Sequence, residues 1–217
     1  MGDPVPVRAA YERRAASYDS DPNATRDLDA ALLRAADLPL DGARVVEIGA
    51  GTGKNTPHLA ARAACVVALD LSAAMLDRAR RHVRDPHVRF VEHDVTRRWP
   101  VGDGEADVVV GNLVLEHVRE LSPVFREAAR ALRPGGILYL CEIHPYRQLR
   151  GSVARFPTAE GEARIEAYAH GTADYVGGAF AAGFELVSIA EPTAPEVRAD
   201  GDGLPVPRLL QMIFRRR

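Results

Sequence analysis

Between residues 43 and 143 the chain alternates short apolar runs with amphipathic stretches, which is the pattern of a parallel sheet connected by crossover helices. The apolar runs predict strands at 44–48, 65–70, 88–92, 106–111 and 136–143. The helical periods between them predict helices at 53–63, 73–81 and 123–132, the second with Ser72 as its N-cap. Arg133-Pro134-Gly135-Gly136 reads as a turn into the fifth strand. Upstream, 7–19 and 25–36 read as two helices separated by Asp21-Pro22-Asn23. Downstream, 145–167 keeps no clean period, 171–182 reads as a helix, and 184–190 and 209–215 read as strands joined by a hairpin loop over 192–207, rich in Pro, Gly and Asp. The expectation is one α/β domain over 1–217: a helical cover at 1–36, a core at 43–143, a second cover and helix at 144–182, and a terminal strand pair at 183–217.

Composition narrows this without changing it. The 217 residues, 47% apolar and 27% charged, can bury one sizeable core. A net charge of −2 supplies no basic stripe to grip nucleic acid. The apolar runs fall far short of the roughly 20 residues needed to cross a bilayer. Asp3 and two prolines stand where a secretory signal would carry basic and then apolar residues. The expected setting is therefore cytoplasmic, without a membrane or nucleic-acid partner; monomer and homodimer both stay open. Cys65 and Cys141 lie inside apolar runs with no metal or redox spacing, and read as buried free thiols.

Chemistry enters at Val45-Val46-Glu47-Ile48-Gly49-Ala50-Gly51-Thr52-Gly53, an apolar strand that ends in an acid and runs into a glycine-rich turn. Glycines there allow a tight turn and a close ligand approach. About twenty residues on, Asp70 ends the second strand, where a carboxylate can accept from both ribose hydroxyls of an adenosine. Turn and acid together specify a nucleoside site. A dinucleotide fingerprint would place its third glycine at position 54, where Lys54 stands instead.

With Glu47 before a G-x-G-x-G spacing, the sequence resembles the class I S-adenosylmethionine-dependent methyltransferase family, small-molecule branch. Further matches are Asp70-Leu71-Ser72 with Met75, His93-Asp94-Val95, the stretch from Asp107 through Asn112-Leu113 to Glu116-His117, and Leu132-Arg133-Pro134-Gly135-Gly136. The resemblance covers nearly the whole chain. It implies a Rossmann-like seven-stranded, mostly parallel sheet with helices on both faces and an antiparallel last strand. It implies S-adenosylmethionine as cofactor and S-adenosylhomocysteine as product. By the same resemblance, Glu47 orders the turn formed by Gly49, Ala50, Gly51 and Gly53, with Asn55 beyond it. Asp70 holds the ribose, Leu71 packs on adenine near Met75, Asp94 and Val95 meet the adenine edge, and Asn112 and Leu113 run beside the methionine. Tyr11 and Tyr18-Asp19 are similar to the family's entry helix, in which a tyrosine closes over the methionine end; they could equally pack that helix on the sheet. Lys54 could meet the cofactor carboxylate or stand solvated at a helix start.

The acceptor is less defined. Methyl transfer is an in-line displacement, and a base is needed only for some acceptors. His144, after the fifth strand, and His117 are the candidate bases. Tyr146, Arg147 and Arg155 in the irregular cover, with His170 and Tyr175 at the next helix, are candidate substrate contacts. Asn112-Leu113-Val114-Leu115 lacks the Pro-Pro-Tyr of enzymes that methylate base or amide nitrogens, and no acid set suggests a metal. A small-molecule acceptor is expected, with oxygen favoured because of His144. A relative of this fold that binds the cofactor but performs a cyclisation or rearrangement is the alternative.

Overall fold

The computed structural model describes residues 3–158, 161–193 and 206–217. Seven strands form one sheet in the order β3-β2-β1-β4-β5-β9-β8. They are β1 (Arg44–Ile48), β2 (Cys65–Asp70), β3 (Val88–Glu92), β4 (Ala106–Asn112), β5 (Leu132–Ile143), β8 (Phe184–Ala190) and β9 (Leu209–Arg216). The strands from β3 to β5 pair in parallel, and β9 runs antiparallel to both β5 and β8. A seven-stranded, mostly parallel sheet with an antiparallel last strand is what the family resemblance implied.

The central strands carry continuous apolar runs, Val45-Val46 in β1 and Val108-Val109-Val110 in β4, because both faces of the sheet are covered. Val45, Val108, Val110 and Tyr139 pack with Leu33 of α2 (Ala24–Ala35) and Leu59 of α3 (Thr56–Ala60). Their neighbours Val46, Ile48, Val109 and Leu138 point the other way, into a core shared with Phe125 of α5 (Ser122–Ala131) and Tyr175 of α7 (Thr172–Ala181). α4 (Ala73–His82) lies along β2 and β3 and starts at Ser72, whose hydroxyl accepts from the Met75 amide as expected.

Several boundaries differ, for local reasons. α1 (Val7–Arg14) stops short of residue 19, and the chain continues in turns to Tyr18. α3 begins three residues later than expected because the turn through Gly53 takes positive φ. The Arg133–Gly136 stretch lies within β5, where the pairing with β4 shifts register between Ala106 and Val108. Most of the difference falls in 145–167. It contains α6 (Pro145–Leu149) and an antiparallel pair, β6 (Arg155–Thr158) and β7 (Gly161–Arg164), elements too short to leave a period. Of the loop expected over 192–207, residues 194–205 lie outside the described residues. Cys65 is half-buried and Cys141 buried, and both are free thiols.

Candidate active site

The strands β1, β2, β3 and β4 end along one edge of the sheet, above which α1 and α2 form a cap. Between them lies a cavity of about 480 Å³. Its wall includes Glu47, Gly49, Ala50, Gly51, Asn55, Asp70, Leu71, Met75, Asp94, Val95, Asn112 and Leu113 from the sheet side, and Tyr11, Tyr18 and Lys54. Gly53 lies behind this wall: a Cβ there would approach Ala79 and Val83 on helix α4 and beyond.

The two glycines on the wall have different reasons to be glycine. Both have positive φ, +71° at Gly49 and +57° at Gly51. A Cβ on Gly49 would come within 2.6 Å of Val114, so that position is closed by the chain itself. A Cβ on Gly51 would meet nothing nearer than the Met75 methyl at 3.8 Å, so it would occupy space otherwise open to a ligand. Asp70 ties the turn together, its two oxygens accepting from the Gly51 amide at 2.8 Å and the Ser72 amide at 2.9 Å. Burial pushes its carboxyl upward against those two donors. Glu47, at the end of β1, is buried and accepts from the Thr56 hydroxyl at 2.6 Å. Burial raises it to about 7. Asp94 accepts from both the amide and hydroxyl of Thr96, at 2.9 and 2.7 Å. Leu113 closes β4 with φ +52°, a left-handed conformation that costs a branched side chain of order 1–3 kcal/mol and is characteristic of a constrained site.

The cap is fastened to this edge by polar contacts. The Thr52 hydroxyl donates to Asp19 at 2.6 Å and Lys54 pairs with Asp27 on α2, while within the cap the Arg26 guanidinium lies 4.1 Å from the Tyr18 ring centroid. Lys54 is thus engaged with an acid of the protein.

Of the two candidate bases, only His117 borders the cavity. It ends a 3₁₀ turn at Leu115–His117. Its Nδ1 is 2.8 Å from the Glu166 carbonyl oxygen, which can only accept, so Nδ1 carries the proton and donates. Nε2 therefore presents its lone pair to the Tyr11 hydroxyl, 2.8 Å away. Burial lowers the pKa of His117 and raises that of Tyr11, which keeps both neutral. Glu116 is buried beside them, Oε1 at 3.8 Å from Nε2, and is raised to about 7 by burial. Arg119 stacks on Tyr168 at 4.8 Å, and the Tyr168 hydroxyl donates to the Glu166 carboxylate, so this end of the cavity is polar.

The other expected contacts lie elsewhere. His144 is buried outside the cavity, capping α6 through the Tyr146 amide at 3.2 Å and meeting Glu191 at 3.1 Å. Tyr146 and Arg147 border a separate, shallower cavity of about 350 Å³. Arg155 pairs with Glu162 across the β6–β7 hairpin at 3.0 Å. His170 donates to the Val118 carbonyl at 2.8 Å and stacks edge-on against Tyr175, which is wholly buried. The segment after β5 is therefore structural over most of its length, and the cavity takes Glu166 and Tyr168 from it instead. Asp29 was also outside the sequence reading. A signal was present: positions 26, 29, 30 and 33 form the buried stripe of α2, and two of them are charged.

A family model described as a methyltransferase domain matches residues 46–140. That stretch, from β1 into β5, is similar to a methyltransferase domain, in agreement with the resemblance to class I S-adenosylmethionine-dependent methyltransferases. The biotin biosynthesis bifunctional protein BioHC of Cellvibrio japonicus is 33% identical over 147 residues, 64% of this chain and 27% of that protein. The malonyl-[acyl-carrier protein] O-methyltransferase of Xylella fastidiosa is 33% identical over 145 residues, 65% of this chain and 49% of that protein. The chain thus spans about half or less of these curated relatives. The solved DhpI–SAH complex superposes with a TM-score of 0.73 at 26% identity, covering 97% of this chain and 95% of that one. The family's cofactor fits what the cavity offers: open space over Gly51, carboxyls at the ends of β1 and β2, and a buried side-chain oxygen on Asn112 with no partner among the described residues. No described helix is long and apolar enough to cross a membrane.

Proposed function

We propose that this protein transfers a methyl group to a hydroxyl of a small molecule, with His117 as the base. The observation that carries this reading is the directed chain Tyr11 O–H to His117 Nε2, and His117 Nδ1–H to the Glu166 carbonyl, at the cavity wall. S-adenosylmethionine supplies an electrophilic sulfonium methyl when bound, and the displacement then depends on how well the nucleophile is aligned and water excluded. Asp70 and Asp94 would hold the adenosine, leaving the methionine end to Glu47, Asn112 and the Leu113 backbone. An acceptor hydroxyl replaces the Tyr11 hydroxyl at Nε2, and His117 takes its proton as the oxygen gains the methyl. Glu116 Oε1 lies 3.8 Å from Nε2, so its carboxyl faces the imidazole that takes the proton. The cavity volume is in the range of small-molecule sites, which favours a metabolite over a macromolecule. A relative named as an O-methyltransferase supports oxygen as the acceptor atom.

The test is mass-spectrometric detection of S-adenosylhomocysteine after incubation with S-adenosylmethionine and panels of phenols, aliphatic hydroxyls, carboxylic acids and amines. Product with hydroxyl acceptors is expected. Turnover confined to amines would overturn the acceptor assignment.

A further inference from the structure

Asp29 sits in the middle of α2, 3% exposed, on the wall of the cavity. A carboxylate buried that deeply is costly unless donors surround it. Neither nearby cation donates a hydrogen bond to it: the Arg26 guanidinium donates to the Tyr18 and Asp21 carbonyls, and Lys54, which helps only through its charge, pairs with Asp27. Its donors are two side-chain amides and a thiol. The Asn55 amide donates to Oδ2 at 3.2 Å, the Asn112 amide donates to Oδ1, and the Cys141 thiol adds a further bond.

These bonds fix which way Asn112 faces. A carboxylate only accepts, so the Asn112 NH₂ must point at Asp29, and its oxygen must point away from it. That oxygen is buried and has no partner among the described residues, an arrangement that ordinarily marks a place for a ligand donor. Its position along the sheet edge says which donor. With Asp94 following β3 and Asp70 ending β2, a cofactor whose adenosine lies there reaches the ends of β1 and β4 with its amino-acid group. Asn112 ends β4.

Resting on the reading of the cavity as the cofactor site, we propose that Asp29 is a positioning residue: it turns the side-chain oxygen of Asn112 toward the α-ammonium of the cofactor. Helix α2 thereby links the cap to recognition of the amino-acid end, while the strand-end acids serve the nucleoside.

Calorimetry with two ligands separates this from a merely structural role. S-adenosylhomocysteine carries the α-ammonium; 5′-methylthioadenosine keeps the adenosine and sulfur but lacks the amino-acid group. Asp29→Leu, which offers Asn112 no acceptor, is expected to weaken the first ligand about tenfold or more and change the second by less than about twofold. Asp29→Asn, which keeps an acceptor for the Asn112 amide, should restore most of the loss. Asn112→Ala should show the same selectivity, and it carries the test if Asp29→Leu does not fold. Equal weakening of both ligands, or no weakening of either, overturns the proposal. Failure of the wild-type protein to bind S-adenosylhomocysteine would instead remove the reading of the cavity on which it rests.

Discussion

At the β1–β2 end of the cavity the polar groups come from strand ends and the turns that follow them; at the Tyr11–His117 end they come from three distant segments. Glu47, Gly51 and Asp70 lie within a few residues of their strands and are locked by neighbouring backbone amides and Thr56. Tyr11, His117 and Glu166 are separated by 106 and 49 residues along the chain and meet only when α1, the 3₁₀ turn and the segment after β7 pack together. The first end is a local consequence of strand, turn and helix. The second depends on tertiary docking, which leaves it free to vary with the acceptor.

The largest effect should come from removing the base at the docked end. His117→Ala is expected to lower turnover by roughly 10²–10⁴-fold, the usual contribution of general base catalysis, with S-adenosylhomocysteine affinity little changed. His144→Ala should leave turnover nearly intact, because that side chain is occupied with the Tyr146 amide and Glu191. Single-turnover rates with an accepted hydroxyl substrate make the comparison. A loss at His144 equal to that at His117 would move the acceptor site to β5.

At the strand-end region the two glycines give the matching contrast. Gly49→Ala forces a Cβ to 2.6 Å from Val114 at positive φ, and overpacking with left-handed strain should cost about 3 kcal/mol of stability. Gly51→Ala incurs only the strain, of order 1 kcal/mol, but places its methyl in the cavity. Denaturant melts should therefore single out Gly49, and cofactor titration Gly51. Similar melts for both variants would mean that the turn yields more easily than its contacts imply.

The same contrast explains what the sequence could reveal. Strands with both faces buried show as continuous apolar runs, and a strand-end acid with a glycine turn shows as local spacing, so the sheet and most of the β1–β4 wall are visible in one dimension. His144 was legible as a histidine after a strand, but nothing local distinguishes a helix-capping histidine from a catalytic one. Glu166 and Tyr168 follow a four-residue strand, β7, too short for any periodicity to register. Asp29 was the missed chance: a carboxylate on the buried stripe of α2 can be read from helical spacing alone.

Proton linkage tests the boundary between the two ends. Glu142 is fully buried at the end of β5, accepts from the Val114 and Leu115 amides at 3.2 and 3.1 Å, and is raised to about 8, chiefly by burial. The folded protein keeps a proton that the unfolded chain releases above about 4.5. Stability is therefore full below that pH and falls as pH climbs to about 8. Glu142→Gln retains an oxygen for both amides and removes the titration. The stability lost between pH 5 and pH 9 should shrink by about 2 kcal/mol in this variant, read from melts at each pH. An unchanged loss would assign it to Glu47 and Glu116, both raised to about 7 at the cavity, and the pH response would then belong to the site.

The smallest effect is expected at the hairpin. Arg155 and Glu162 form an exposed pair, worth at most about 1 kcal/mol. The hairpin is anchored instead by backbone and apolar contacts: Val5 pairs with Ile165, the Glu166 amide donates to the Val5 carbonyl at 2.9 Å, and Phe156 and Ile165 pack with Ala10 of α1. It thereby holds Glu166 against His117 and α1 beside the cavity, without its charged side chains taking part. Arg155→Ala should leave both the melting temperature and the acceptor KM unchanged. A raised KM with normal stability would show that the exposed face of the hairpin reaches the acceptor, and the docked end of the cavity would then extend one strand further than its walls now indicate.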